Sequence, residues 1–426
     1  MYLIKVILVF FIIFNFPIPV IYNSAFLALS IATCFYFAQP SLIKDLRSCF
    51  GNKYIVSLLG VFMLLMLIGF IPGVLHFTFD FTIVKPYLLN IILLFIAIYI
   101  YPLLIKEISL GERFYYILNL LISVFFLQSV IEVTAFLSPV AKDFVAFFQK
   151  DLVSEKDMGG IRALALTGNP FFDLAASFGL IFIVFTFSIS VNKNGNKYFS
   201  LRNSLFFIVL FVGSFFAGRT AFVGLGTALA LYFLSFGSRF KKLISFIRLI
   251  LIVAGTSFLL YNILLPPETK DMVENQLLPF AFEVVYNYID TGETSTKSGE
   301  VLEQMYFPLS WQTFLFGDGI YTGEDGAYYK HTDSGIMRNI LFYGIFGLLL
   351  ILIGHLFYFF KPLMLIFSDL KKEGSFATLN TLLFFLGLLL YTVILQYKGE
   401  VLLFMPIIQV MLFYICFSFL ERSKEI

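Results

Sequence analysis

The residues best suited to chemistry lie close together in the stretch 317–347, GDGIYTGEDGAYYKHTDSGIMRNILFYGIFG. His331, Asp333 and Arg338 crowd the point where a glycine-rich, aromatic loop runs without a break into an apolar helix. Asp333 or Ser334 suits the N-cap of that helix, and the free N–H groups of a helix start favour an anion. Arg338, one turn beyond Ser334, would add a guanidinium fork that matches phosphate oxygens. His331 is of a type to accept or deliver a proton near neutral pH, and Asp333 is a second candidate base or simply a cap. Tyr321 and Tyr328 offer aromatic faces for the apolar faces of a sugar, although tyrosine is also common at membrane interfaces.

Two more arginines stand in apolar surroundings. Arg219 sits in FFAGRTAFVGLG, between two otherwise uncharged apolar stretches, flanked by Ala217, Gly218, Ala221 and Gly224. It either snorkels to lipid phosphate or holds an anion in a pocket, and small neighbours would let backbones approach it. Arg162 sits in GGIRALALTGNPFFDLAAS, as a solvated loop charge or a second anion ligand. In the same segment Asn169 or Asp173 can cap a helix with Pro170 in its first turn, and Asn169 is also a candidate sugar ligand. The pairs Gln128/Glu132, Lys398/Glu400 and Asp80/Lys85, with His76 and His355, carry less weight. No CxxC, HExxH, Walker, GxSxG or DxD-like pattern occurs and the histidines are scattered, so neither a metal nor a cofactor is expected.

The elements that must position these groups follow from composition. The chain has 426 residues, 60% hydrophobic and 13% charged, with mean hydropathy +0.92. A soluble domain cannot hide that much apolar surface, so an all-α polytopic membrane protein is expected. The net charge of +2 says nothing about partners, no nucleic-acid partner is expected, and Cys34, Cys49 and Cys416 suggest no disulfide framework. No A-x-A-like site follows the apolar start, which reads as a retained helix rather than a leader.

A span needs about 20 apolar residues. About twelve stretches qualify: 3–21, 23–38, 54–75, 83–105, 114–137, 173–191, 203–217, 220–236, 245–264, 335–360, 376–395 and 401–420. With the N-terminus inside, the short inner loops collect Lys44, Arg47 and Lys53, then Lys193, Lys197 and Arg202, then Arg239, Lys241, Lys242 and Arg248. That bias orients a chain with both termini cytoplasmic. Residues 1–426 then form a single membrane domain with two long external segments, 138–172 and 265–334. The second, between helices nine and ten, is expected to be a small helical subdomain, with Pro279–Ile289, Gly299–Phe307 and Leu309–Phe316 as short helices.

The GRTAF hairpin, the large late loop and GDGIY…HTDSGIMRNILFYGIFG together resemble the oligosaccharide repeat-unit (O-antigen) polymerase family of the Wzy type, which is related to the O-antigen ligases. The resemblance spans the topology of the whole chain, with residue-level likeness at about 160–175, 213–226 and 315–347. It implies a bacterial inner (cytoplasmic) membrane protein with its active site facing the periplasm. It also implies a glycosyltransferase that moves a growing glycan from undecaprenyl pyrophosphate onto a newly flipped lipid-linked repeat unit, building O-antigen or a related surface polysaccharide. A chain-length regulator and a flippase are the implied partners, beside membrane lipid. Arg162, Arg219 and Arg338 match the arginines that bind the lipid pyrophosphate in that family, as one shared site. The ligases carry a histidine pair with an asparagine in the late loop; here only His331 stands, followed by Asp333 and Ser334, which favours the polymerase. The alternatives are a ligase transferring glycan to lipid A core and a flippase or transporter of lipid-linked oligosaccharide.

Overall fold

The structure is a computed structural model that describes residues 1–149, 164–191, 200–263, 265, 267–293 and 296–422. It is about 78% helical. Among the described residues the strands are limited to Pro17–Ile18 paired with Tyr22–Asn23. Among the described residues seven helices are long and apolar enough to cross a membrane: Lys53–Leu75, Val84–Ile105, Leu110–Leu137, Phe172–Ser190, Arg239–Ile263, Gly335–Lys372 and Phe376–Leu395. Shorter apolar helices are Tyr2–Phe14, Ser24–Ala38, Leu201–Ala217 and Thr220–Leu234, and Pro406–Arg422 closes the helical chain. Helix Arg239–Ile263 leaves Ile247, Ile250, Leu251, Phe258 and Leu259 exposed. A continuous apolar face of that kind suits lipid rather than water.

Each apolar stretch read from the sequence carries a helix, and the differences lie in length. The first was expected over 3–21 but ends at Phe14, where Asn15 takes a left-handed conformation with φ 40°. Pro17 and Pro19 then forbid its continuation, and the chain reverses through the small hairpin. Its 13 residues rise about 20 Å, short of a hydrocarbon core of about 30 Å.

The chain divides into two compact units, Met1–Leu121 with Leu302–Lys371 and Leu388–Ile426, and Ile122–Val301 with Lys372–Gly387. The described residues of 265–334 include the helices Pro267–Met272, Leu278–Ala281, Glu283–Thr291, Lys297–Gln304 and Trp311–Phe316, and the boundary between the units falls between Val301 and Leu302.

In the first unit helix Val84–Ile105 is the hub, touched by Tyr2–Phe14, Ser24–Ala38, Leu42–Phe50, Lys53–Ile68 and Pro406–Arg422. Lys5 is buried and closes the hub's C-terminal end: its Nζ donates to the carbonyls of Leu104 at 2.8 Å and Lys106 at 3.2 Å. A cation on orphan carbonyls at a helix C-terminus is favourable, which explains its burial. At the far end of Pro406–Arg422, Glu421 pairs with Arg113 at 3.0 Å and accepts from the Tyr101 hydroxyl at 2.7 Å.

In the second unit helix Thr220–Leu234 lies so close to Phe172–Val191 that a Cβ on Gly224 would collide with the backbone of Gly179. The small residues around Arg219 therefore serve backbone approach. Gly224→Leu is expected to force these helices apart at a cost of about 3 kcal/mol, the upper end for overpacking. Thermal unfolding of the detergent-purified variant checks this, and an unchanged midpoint would contradict the close contact.

Candidate functional site

The first unit contains a polar site built around one helix start. Helix Gly335–Glu373 begins after Ser334, whose Oγ accepts from the Met337 N–H at 3.4 Å, so Ser334 rather than Asp333 is its cap. Ser334 is itself held: its N–H donates to Thr332 Oγ1 at 3.3 Å and its hydroxyl to Tyr306 Oη at 2.7 Å. The Tyr306 ring stacks on Tyr397, centroids 4.5 Å apart.

The helix is not continuous. Gly344 has φ 74° and breaks it, which differs from the uninterrupted apolar helix expected. The loop before it fills the break: the Asp318 N–H donates to the Leu341 carbonyl at 2.6 Å, and Gly317, also at φ 74°, lies against the backbone of Phe342 with no room for a Cβ. The segment 335–343 is thus a half-helix fixed at both ends, and it carries Arg338 and Asn339.

Arg338 is 5% exposed. Its guanidinium carbon lies 4.3 Å from the ring centre of Tyr321 and 3.6 Å from that of Tyr328, with Phe404 at 5.7 Å. It donates to the Tyr321 hydroxyl, while its Nε has no hydrogen-bond partner among the described residues. Such cation–π contacts contribute about 2 kcal/mol when desolvated. The tyrosines are placed by a small hairpin with a bridge between Thr322 and Tyr328, in which Gly323 donates to the Ala327 carbonyl at 2.8 Å. Asp80 anchors that hairpin, accepting from the N–H groups of Tyr321 at 2.6 Å and Thr322 at 2.9 Å, and from Thr82 through its N–H and hydroxyl. Burial works against the Asp80 charge, but the Thr82 hydroxyl and these backbone donors outweigh it and hold the carboxyl below its ordinary range.

Beside Arg338 lies Glu400, 4% exposed, in the turn after helix Phe376–Leu395. Asn339 Nδ2 donates to one of its oxygens and Gln396 Nε2 to the other at 3.0 Å. Burial pushes its carboxyl up, and the Arg338 charge and the two amides pull it back, leaving it at about 7. Glu400 was a minor candidate in the sequence and Gln396 and Asn339 were none; their spacing carries no signal, because the fold alone brings them together.

His331 and Asp333, the expected bases, are both exposed. The His331 side chain is 76% exposed and its Nε2 lies 3.6 Å from Asp325 Oδ2. Among the described residues no hydrogen bond or ion pair joins either of them to Arg338. In the second unit Arg219 stands at the tip between Leu201–Ala217 and Thr220–Leu234, ion-paired to Glu283 with its guanidinium carbon 4.6 Å from the Phe280 ring centre. Its fork is thus already engaged by a carboxylate from the late loop. The Asn169 N–H donates to Thr167 Oγ1 at 3.2 Å and its side chain is half-buried. Arg162 lies outside the described residues. Of the expected site residues, Tyr321 and Tyr328 stand against Arg338; Arg219 and Asn169 belong to the second unit and Arg338 to the first.

The arrangement in the first unit can hold an anion on a desolvated guanidinium and can take up a proton on a carboxylate beside it, with aromatic faces at hand. No protein-family model, no curated protein and no solved structure matches the chain.

Proposed function

We propose that this chain is a glycosyltransferase of the bacterial inner membrane that joins undecaprenyl-pyrophosphate-linked oligosaccharide repeat units into O-antigen or a related surface polysaccharide. The observation that carries this reading is the setting of Arg338, a desolvated guanidinium between two tyrosines with a donor left over, beside a buried carboxylate. It supports anion and sugar recognition at one place, and it falls in the stretch where the resemblance to the polymerases is most specific.

In this reading the chain has about twelve spans, both termini in the cytoplasm, and 138–172 and 265–334 on the periplasmic side. An acceptor hydroxyl attacks the anomeric carbon of the lipid-linked glycan, and the bond from that carbon to the pyrophosphate oxygen breaks. The barrier lies mainly in the charge gathering on the departing pyrophosphate. Prepositioned guanidinium donors in a site of low dielectric meet that charge without reorganising. Arg219 is a further candidate phosphate ligand, in the second unit, where it pairs with Glu283. A chain-length regulator and a flippase are the partners this chemistry calls for.

A second reading rests on the break at Gly344, since discontinuous helices line the substrate sites of secondary transporters. The glycan profile of a deletion strain separates the possibilities. Single-repeat glycan accumulating outside the membrane is the expected result. Accumulation inside would assign a flippase, and free long polymer unattached to lipid A core would assign a ligase. In the same assay Arg219→Ala, at normal protein level, is expected to shorten the polymer sharply; full-length chains would remove Arg219 from the mechanism.

A further inference from the structure

Gln396 has its orientation fixed from behind. Its Oε1 accepts from the N–H groups of Val401 at 2.8 Å and Leu402 at 2.9 Å. Only the amide NH₂ can then face Glu400. Asn339 is fixed in the same way, because its Nδ2 also donates to the Gly335 carbonyl at 2.7 Å. Both amides therefore present donors to Glu400, one to each oxygen. A carboxylate offers about four acceptor positions, so the ionised form is the one this setting is built for, and two positions stay open. Two further buried atoms, Arg338 Nε and Asn339 Oδ1, have no hydrogen-bond partner among the described residues. Asn339 Oδ1 is an orphan acceptor on a side chain bonded to the carboxylate, and Arg338 Nε an orphan donor on the cation whose charge reaches it; together they match a group that both donates and accepts, which is what a sugar hydroxyl does.

We infer that Glu400, held by Gln396 and Asn339, is the base that takes the proton from the acceptor sugar hydroxyl. The inference rests on the glycan-joining reading above and deepens it. As the hydroxyl oxygen bonds to the anomeric carbon, its proton passes to a Glu400 oxygen; the electron pair of the breaking carbon–oxygen bond leaves with the lipid pyrophosphate. Glu400 then returns the proton to water. The groups that face it are Arg338 and Tyr343 from the half-helix, Tyr87 from Val84–Ile105, and Tyr321 from the hairpin. Of these Arg338 is the cation, and it favours the ionised form. With Glu400 near neutrality, its basic form falls about tenfold for each pH unit below 7.

The test uses the full-length protein in detergent or liposomes and, as substrate, the single-repeat lipid collected from a deletion strain. The wild-type rate is expected to drop on the acid side of about pH 7 with unit slope. Glu400→Gln is expected to lose about 10²–10⁴ of the rate, to lose the acid limb, and to bind the lipid as the wild type does. Glu400→Ala is expected to recover rate when formate is added, which a purely structural carboxylate would not produce. A wild-type profile flat between pH 6 and 8 would overturn the inference with no variant needed, as would Glu400→Gln at the wild-type rate or with the acid limb intact. If the wild type makes no polymer from this lipid under any condition, the glycan-joining reading itself fails, a separate result from a polymerising enzyme indifferent to Glu400.

Discussion

Arg338→Ala is expected to leave a strain that makes little or no long polymer, with the rate of joining down about 10²–10³-fold, the loss typical of one oxyanion donor. Two effects act together. The donors that meet the leaving pyrophosphate disappear, and Glu400 loses the cation whose charge reaches it. Without that cation burial is opposed only by the Gln396 and Asn339 amides, and less of Glu400 is ionised at neutral pH. The tyrosines also lose the group they enclose, about 2 kcal/mol of cation–π attraction, so the variant should be somewhat less stable. Arg338→Lys separates these contributions. Lysine keeps the charge for Glu400 but cannot reproduce a planar fork stacked on Tyr321 and Tyr328. Intermediate chain lengths are therefore expected from it. Gel profiles of the surface glycan, read beside immunoblots for protein level, provide the measurement. Full-length polymer from Arg338→Ala at normal abundance would sink the proposed site.

Most of what the sequence reveals or conceals turns on whether a feature is local along the chain. Apolar runs of helical length are local, so helices appear at every stretch expected. Arg338, Tyr321 and Tyr328 are legible as neighbours along the chain, but the sequence reads the tyrosines as sugar platforms or interface residues and gives no sign that their rings enclose the guanidinium. The assignment of His331 and Asp333 was drawn from proximity along the chain. In the fold, Lys330 and His331 adopt φ 54° and the helix starts only after Ser334, so His331 and Asp333 are left at the surface. Glu400 and Asn339 are 61 residues apart, and no periodicity links a loop carboxylate to a helix amide at that separation. Glu283 was equally hidden: a glutamate at the start of a short helix gives no sign that it will meet Arg219, 64 residues away along the chain. Gly344 was concealed for a different reason. In an apolar run a glycine is read as a small residue for helix contact, and only the backbone angle reveals a break.

That break supports the second large expectation, for Gly344→Ala. At φ 74° an L side chain is disfavoured by about 1–2 kcal/mol. The new Cβ would also meet the Leu315 carbonyl and the Phe316 nitrogen, backbone atoms that cannot swing aside. Relief by straightening the helix would cost the hydrogen bond from Asp318 to Leu341 and leave buried polar groups unpaired, about 1–3 kcal/mol more. The total, about 2–5 kcal/mol, is a large share of the 5–15 kcal/mol that holds a typical protein folded. Gly344→Ala should therefore unfold at a clearly lower temperature in detergent and accumulate poorly in membranes. Gly226→Ala is the matched control, since a Cβ there meets nothing within 4 Å and alanine favours a helix by about 1 kcal/mol over glycine. If both variants melt with the wild type, segment 335–343 can join the following helix without loss. Arg338 would then not depend on the break for its place between the tyrosines. If only Gly344→Ala melts early, the interrupted helix is what holds that arginine in a desolvated, aromatic setting.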